Sequence, residues 1–141
     1  MFEKLDENQA QALLSSESLG RLGCIFEGEP YVVPINYYYE NGFVYSHSLP
    51  GQKISALRAN PKACLQVDRV EGDLSWLSVL AFGQYEEVVD NEERSSVLGK
   101  LLHRFPRLTP VESVIADDAG PPPAVIVFRI RIGRITGLSE G

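Results

Sequence analysis

Cysteine, histidine, long apolar runs and positive charge are all scarce in this 141-residue sequence. The two cysteines, Cys24 and Cys64, lie far apart inside separate apolar runs. That spacing is no metal motif, and buried free thiols of a reducing cytoplasm are favoured over a disulfide between them. With only two histidines, His47 and His103, a metal centre of ordinary spacing is not expected. Glycine-rich loops of the dinucleotide or triphosphate-binding kind are missing. Lys plus Arg number 13 against 19 Asp plus Glu, a net charge of −6, which argues against a nucleic-acid partner held by phosphate neutralisation. The longest apolar run, Ala124 to Phe128, is five residues, against the roughly 18 a membrane span requires. The start, Met1-Phe2-Glu3-Lys4-Leu5-Asp6, has no basic segment followed by an apolar one, so no signal peptide is expected. These absences predict a soluble, cytoplasmic protein.

What is present is an ordinary globular balance, 44% hydrophobic and 23% charged, in a length that suits one domain over 1–141. Asp6 to Ser16 reads as a short helix capped by Asp6, with Ala10, Leu13 and Leu14 along one face. Three strand-like stretches follow: Gly20 to Phe26, Tyr31 to Tyr39, and Phe43 to Ser48. The turns Glu27-Gly28-Glu29-Pro30 and Glu40-Asn41-Gly42 would make them an antiparallel meander. Gln52 to Ala59 is a second short helix, stopped by Asn60-Pro61. Strands are expected over Lys62 to Arg69 and Leu74 to Val89, the second bulged near Gly83. Asn91 to Phe105 reads as a helix capped by Asn91, with Val97, Leu98, Leu101 and Leu102 as its apolar stripe, Pro106 just beyond it, and His103 in solvent. Asp117 to Pro123 can only be a connector. Ala124 to Leu138 alternates, with Val125, Val127, Arg129 and Arg131 on one phase and Ile126, Phe128, Ile130 and Ile132 on the other. The fold expected is mainly β with short helices, a six-stranded antiparallel barrel, closed or split, of Greek-key type.

Two segments carry chemistry. Phe43 to Lys53 ends a strand in Ser46, His47 and Ser48, then turns through Pro50-Gly51 into a helix whose first turn holds Gln52 and Lys53. Free N–H groups and the positive end of a helix dipole, beside Ser48 and Lys53, suit a phosphate, although an ordinary helix start with solvated side chains has the same composition. In Tyr31 to Tyr39, Pro34 cannot donate to a strand ladder. It marks an edge guarded against aggregation, or a place where a flat ligand lies on backbone.

In their order along the chain, several pieces resemble the FMN-binding split-barrel superfamily of pyridoxamine 5′-phosphate oxidase, and within it the small oxidase-related and nitroimidazole-reductase proteins. They are Gly20 to Gly23, Pro30 to Tyr37, Asn41 to Ser48, Gly51 to Lys53, Leu57 to Pro61, Trp76 to Val79, Phe82-Gly83 and Ile135 to Gly137. The resemblance spans about residues 5 to 138.

It implies that Val33, Pro34, Ile35 and Asn36 support the flavin ring of FMN. Ser46, His47 and Ser48 would line the ribityl and phosphate side, and Lys53 would be the phosphate cation. It also implies a homodimer with FMN at the interface, where Trp76, Ser78 and Val79 come from the other subunit. His47 would face flavin N5 or the substrate as the catalytic residue. The activity implied is flavin-dependent oxidoreduction of a small molecule with a separate electron donor; a non-catalytic flavin or haem carrier or sensor on the same barrel is the alternative, and a deazaflavin could replace the flavin. The oxidase itself places arginines where this chain has Tyr31 and Gln52, and ends in an Arg- and His-containing motif that is missing here. Vitamin B6 oxidation is therefore not expected, and the phosphate grip rests on Gln52, Lys53 and backbone.

Overall fold

In chain order the elements are β1 (Phe2–Lys4), α1 (Glu7–Ser16), β2 (Leu19–Phe26), β3 (Glu29–Asn36), β4 (Tyr38–Glu40), β5 (Phe43–Ser48), α2 (Gln52–Ala59), β6 (Lys62–Gly72), β7 (Ser75–Glu87), α3 (Asn91–Arg104) and β8 (Ile126–Glu140). The computed structural model describes residues 1–105 and 125–141; Pro106 and the expected connector Asp117–Pro123 lie outside them. Two tight turns organise the first half. Glu27 and Gly28 have φ of 51° and 80°, and Asn41 and Gly42 have 51° and 86°. Two successive left-handed residues give a turn twist that matches the strands it joins, here β2 to β3 and β4 to β5.

The ladders among the described residues are antiparallel and run β3-β2-β6-β7-β8-β5-β4, with β1 on the far end of β8. The first and last strands of that path, β3 and β4, are successive in the chain and separated only by Tyr37. The sheet therefore curls until both its ends are one stretch of backbone. Its ladder stays open where β3 leaves β5 to pair with β2, which makes the barrel split. Tyr37 sits at the bend, fully buried, its amide donating to Ser18 O at 3.0 Å and its hydroxyl to Leu14 O at 2.6 Å. Among the described residues there are eight strands where six were expected. Three-residue β1 is exposed throughout and has no alternation to reveal it, and the expected Tyr31–Tyr39 strand is divided at Tyr37. The expected meander is broken there too, because β3 and β5 do not pair.

Alternation fills the barrel with Leu22, Cys24, Val44, Leu65, Val67, Val79, Ala81, Phe128 and Ile130. α1 closes one end with Ala10, Leu13 and Leu14, started by a reciprocal cap in which Asp6 Oδ1 accepts from the Gln9 amide at 2.8 Å and Gln9 Oε1 from the Asp6 amide at 2.9 Å. α3 covers the outer face with Val97 and Leu101, which join Tyr38, Val88 and Val127 in a second apolar cluster. Its cap is Asp90 rather than Asn91, accepting from the Glu93 amide at 3.0 Å, and Leu102 is 41% exposed, off the buried stripe.

The expected bulge lies at Gly83. Phe82 pairs with Arg134 and Gly83 with Ile132, leaving Gly133 as the extra residue of β8. A Cβ at Gly83 would stand 2.2 Å from the Arg131 carbonyl oxygen, so no other residue fits. The strict alternation expected through Leu138 is reset at Gly133. Ile132 and Ile135 both pack on the core, and Arg131 and Arg134 both face out. The cysteines correct another expectation. Cys64 pairs with Gly23, one residue out of step with Cys24, so the two point to opposite faces; Cys24 is buried and Cys64 only partly so, both as free thiols. Burial pushes both thiols up from their ordinary pKa.

Candidate functional site

Asn36 and Ser46 flank the split between β3 and β5, and Ser48, Gln52 and Lys53 follow along the chain. Ser46 is 2% exposed and its hydroxyl donates to Asn36 O at 2.7 Å, a side-chain tie across the seam. Strand alternation sends Ser46 and Ser48 to the inner side of β5. His47, opposite Val127, projects from the other side with Tyr45, where the α3 cluster lies. Its Nδ1 is buried. The expectation that Ser46, His47 and Ser48 share one ligand-facing surface thus meets a strand that places His47 on the opposite face from the two serines.

Beyond β5 the chain turns through Leu49-Pro50-Gly51 and α2 packs back on β2, burying Ile54, Ala56 and Leu57. The α2 start differs from those of α1 and α3. Its N-cap is Gly51, which supplies no side-chain acceptor, so the first-turn N–H groups have no capping side chain and keep their donors for a ligand. Gln52 is exposed at this end and Lys53 half-buried. Burial lowers the pKa of the Lys53 ammonium, with the neighbouring Cys24 on β2 opposing that shift. Among the described residues no carboxylate lies within 4.0 Å of Lys53. A desolvated ammonium without an acid, beside an uncapped helix start, is an arrangement that gains from an anion. The Ser48 hydroxyl donates locally to Leu49 O at 2.8 Å and is free to rotate onto a stronger acceptor.

On β3, Ile35 points into the core, Val33 and Asn36 are half-buried and Pro34 is exposed. Pro34 stands opposite Arg21, and β3 pairs with β2 alone among the described strands. Its outer edge has no ladder to lose, which is where a proline costs least and where a flat group can lie against backbone. The β7 candidates lie across β2 and β6 from there. Trp76 Nε1 donates to Glu140 Oε2 at 3.1 Å, and its ring packs 5.9 Å from that of Phe2. Ser78 accepts from Gln66 Nε2 at 3.1 Å. The Val79 side chain is fully buried in the core, so what it offers outward is its peptide. A single chain places Ser48, Gln52 and Lys53 in succession at the β5–α2 turn and ties the end of β3 to β5 through Ser46 and Asn36, while Trp76 and Ser78 lie elsewhere on the sheet. Cys24 was not among the sequence candidates, although its place two residues after inward-facing Leu22 put it inside the barrel.

Comparison with known proteins agrees with this architecture. The family profile described as pyridoxamine 5′-phosphate oxidase matches residues 6–139. A crystal structure of an FAD-binding protein from Mesorhizobium loti is 30% identical, with a TM-score of 0.82 over 100% of this chain and 99% of that one. A proposed 5-nitroimidazole antibiotic resistance protein from Bacteroides thetaiotaomicron is 25% identical, with a TM-score of 0.75 over 99% of this chain and 87% of that one. A flavocytochrome from Azotobacter vinelandii, at 23% identity and a TM-score of 0.72 over 96% of this chain and 67% of that one, shares the fold. In sequence, an uncharacterized protein from Rhizobium meliloti is 36% identical over 84 residues, 60% of this chain and 56% of that protein, so the match spans little more than half of the relative.

Proposed function

Since the chain belongs to the pyridoxamine 5′-phosphate oxidase family, we propose that it binds FMN and acts as a flavin-dependent oxidoreductase on a small molecule. The observation that carries this reading is Lys53, a half-buried ammonium with no carboxylate within 4.0 Å among the described residues, set in the first turn of a helix with no capping side chain. A phosphate there would meet a charge-assisted contact and helix N–H groups together, enough to hold an anion on a chain of net charge −6. Ser48 and Gln52 add donors. The edge of β3 from Val33 to Asn36 supports the ring, with Pro34 leaving it no competing N–H. The name of the Mesorhizobium loti relative, an FAD-binding protein, supports a flavin as the ligand.

A bound flavin supplies hydride or single-electron transfer; the chain supplies binding, orientation and exclusion of water. In this reading the protein is a homodimer in which a second copy brings Trp76, Ser78 and the Val79 peptide to the β3 edge. His47, on the other face of β5 from Ser46 and Ser48, is assigned to the substrate side rather than to the phosphate. The test is retention of flavin: protein incubated with FMN and desalted should keep flavin absorbance near one per chain, and a nicotinamide donor should then be oxidised only by the loaded protein. Protein that keeps no flavin refutes the reading. Flavin without donor-dependent turnover leaves a carrier.

A further inference from the structure

The β7–β8 bulge opens a pit of about 370 Å³ on the outer face of the sheet, lined by Lys62, Phe82, Gly83, Arg131, Gly133 and Arg134. That volume is within the ~300–1,000 Å³ of small-molecule sites. Three cations converge on it in a protein of net charge −6. Arg131 Nε is held by Glu86 Oε2 at 3.0 Å, while the other oxygen of Glu86 takes Arg129 at 2.9 Å. Lys62 and Arg134 have no carboxylate within 4.0 Å among the described residues. The Arg134 guanidinium lies 4.0 Å over the Phe82 ring, which fixes its plane and leaves its N–H edges for an acceptor.

Gly133 adds an independent observation. Gly83 is required by the fold, but a Cβ at Gly133 would meet nothing nearer than Phe82 O at 4.0 Å, and its backbone is not left-handed. Neither close packing nor a left-handed backbone requires a glycine there, and without a side chain it leaves the pit open. The pit also runs into an apolar trough of about 350 Å³ that shares Lys62, Ala63 and Phe82 and continues past Ile25, Tyr31 and Val32. A cationic pit beside an apolar trough suits a ligand with a clustered negative charge and a flat ring.

We propose that this pit binds the diphosphate of a nucleotide, with its ring in the adjoining trough. The source that carries this chemistry is the ADP half of a nicotinamide donor, an assignment that rests on the flavin-dependent oxidoreduction proposed above; a flavin dinucleotide shares the phosphate placed at Lys53, which does not line the pit. The probe is ADP itself, titrated calorimetrically into flavin-free protein at low salt. One ADP per chain is expected. Lys62→Gln with Arg134→Gln should weaken it at least about tenfold. Gly133→Val, which changes no charge, should do the same while leaving the thermal midpoint and FMN retention as they are. Equal FAD and FMN affinities, with NADPH displacing ADP, assign the donor. The proposal is overturned if ADP does not bind, if the variants bind it as well as the parent, if NADPH does not compete with it, if FAD binds more tightly than FMN by a factor the double variant abolishes, or if the variants sediment differently, which would make the pit a contact between copies. Protein that binds ADP but not FMN refutes the flavin reading alone, and protein that binds FMN but not ADP refutes this one alone.

Discussion

Replacing Lys53 by methionine separates a ligand cation from a structural one, because the two roles predict opposite signs. A phosphate oxygen about 4 Å from an ammonium, at an effective dielectric of about 20, is attracted by ~4 kcal/mol per unit charge. Lost hydration reduces this toward the ~1.5–3 kcal/mol measured for hydrogen bonds to charged groups. Lys53→Met should therefore cost about 2 kcal/mol of FMN binding, ~30-fold in Kd, in a flavin fluorescence titration. Riboflavin, which has no phosphate, should bind parent and variant alike. Without flavin the sign reverses. Burial lowers the Lys53 pKa from the ordinary 10.5, so the charged lysine is less favourable in the folded chain than in the unfolded one. That penalty is fully present below the folded pKa and fades as pH rises toward the unfolded value. Flavin-free Lys53→Met should melt at or above the parent temperature at neutral pH, and its advantage should shrink in alkali. Unchanged FMN affinity, or a variant that melts lower while binding FMN normally, refutes the reasoning and leaves Lys53 as a packing stem.

Gly83→Ala forces a Cβ to 2.2 Å from the Arg131 carbonyl oxygen and should destabilise by about 3 kcal/mol or more; a urea midpoint close to the parent's would mean the bulge relaxes freely. Ser46→Ala removes the hydroxyl bonded to Asn36 O at 2.7 Å and should cost about 1–3 kcal/mol in the same assay, with the loss appearing first as faster amide exchange around Tyr37. His47→Ala should leave FMN retention intact and slow donor-dependent reduction of an acceptor; loss of flavin instead would move His47 into the binding site. Asp90→Ala should lower stability by ~1 kcal/mol through the α3 cap, whereas Asn91→Ala should change little, and equal effects would contradict the assigned cap.

Much of the barrel was legible because its signals are local. Asn41-Gly42 and Glu27-Gly28 specify tight turns, alternation marks β2, β6 and β8, and Gly83 in a long strand announces a bulge. What could not be read depends on distant partners. Nothing within Tyr31–Tyr39 says that its two halves pair with different strands; Tyr37 becomes a bend through Leu14 and Ser18. The reset of β8 at Gly133 is a property of the β7–β8 pair and cannot be seen in β8 alone. The helix start proposed to bind an anion, with Ser48, Gln52 and Lys53, could be read from the sequence, since helix starts are local. The side of the sheet that His47 faces follows from counting along β5, but what covers that side is α3, whose position is tertiary. The cap at Asp90 was missed by one residue because aspartate and asparagine cap equally well.

The bend at Tyr37 gives the sheet the connectivity of a belt rather than a ribbon. In a ribbon each margin frays by itself, whereas here loosening β3 from β2 pulls through Tyr37 on β4 and its pairing with β5. Slow amide exchange should therefore rise and fall together over residues 29–40, as one cooperative unit. Anything seated along β3 is then registered at β5, on whose opposite face His47 stands, without a separate relay through the core.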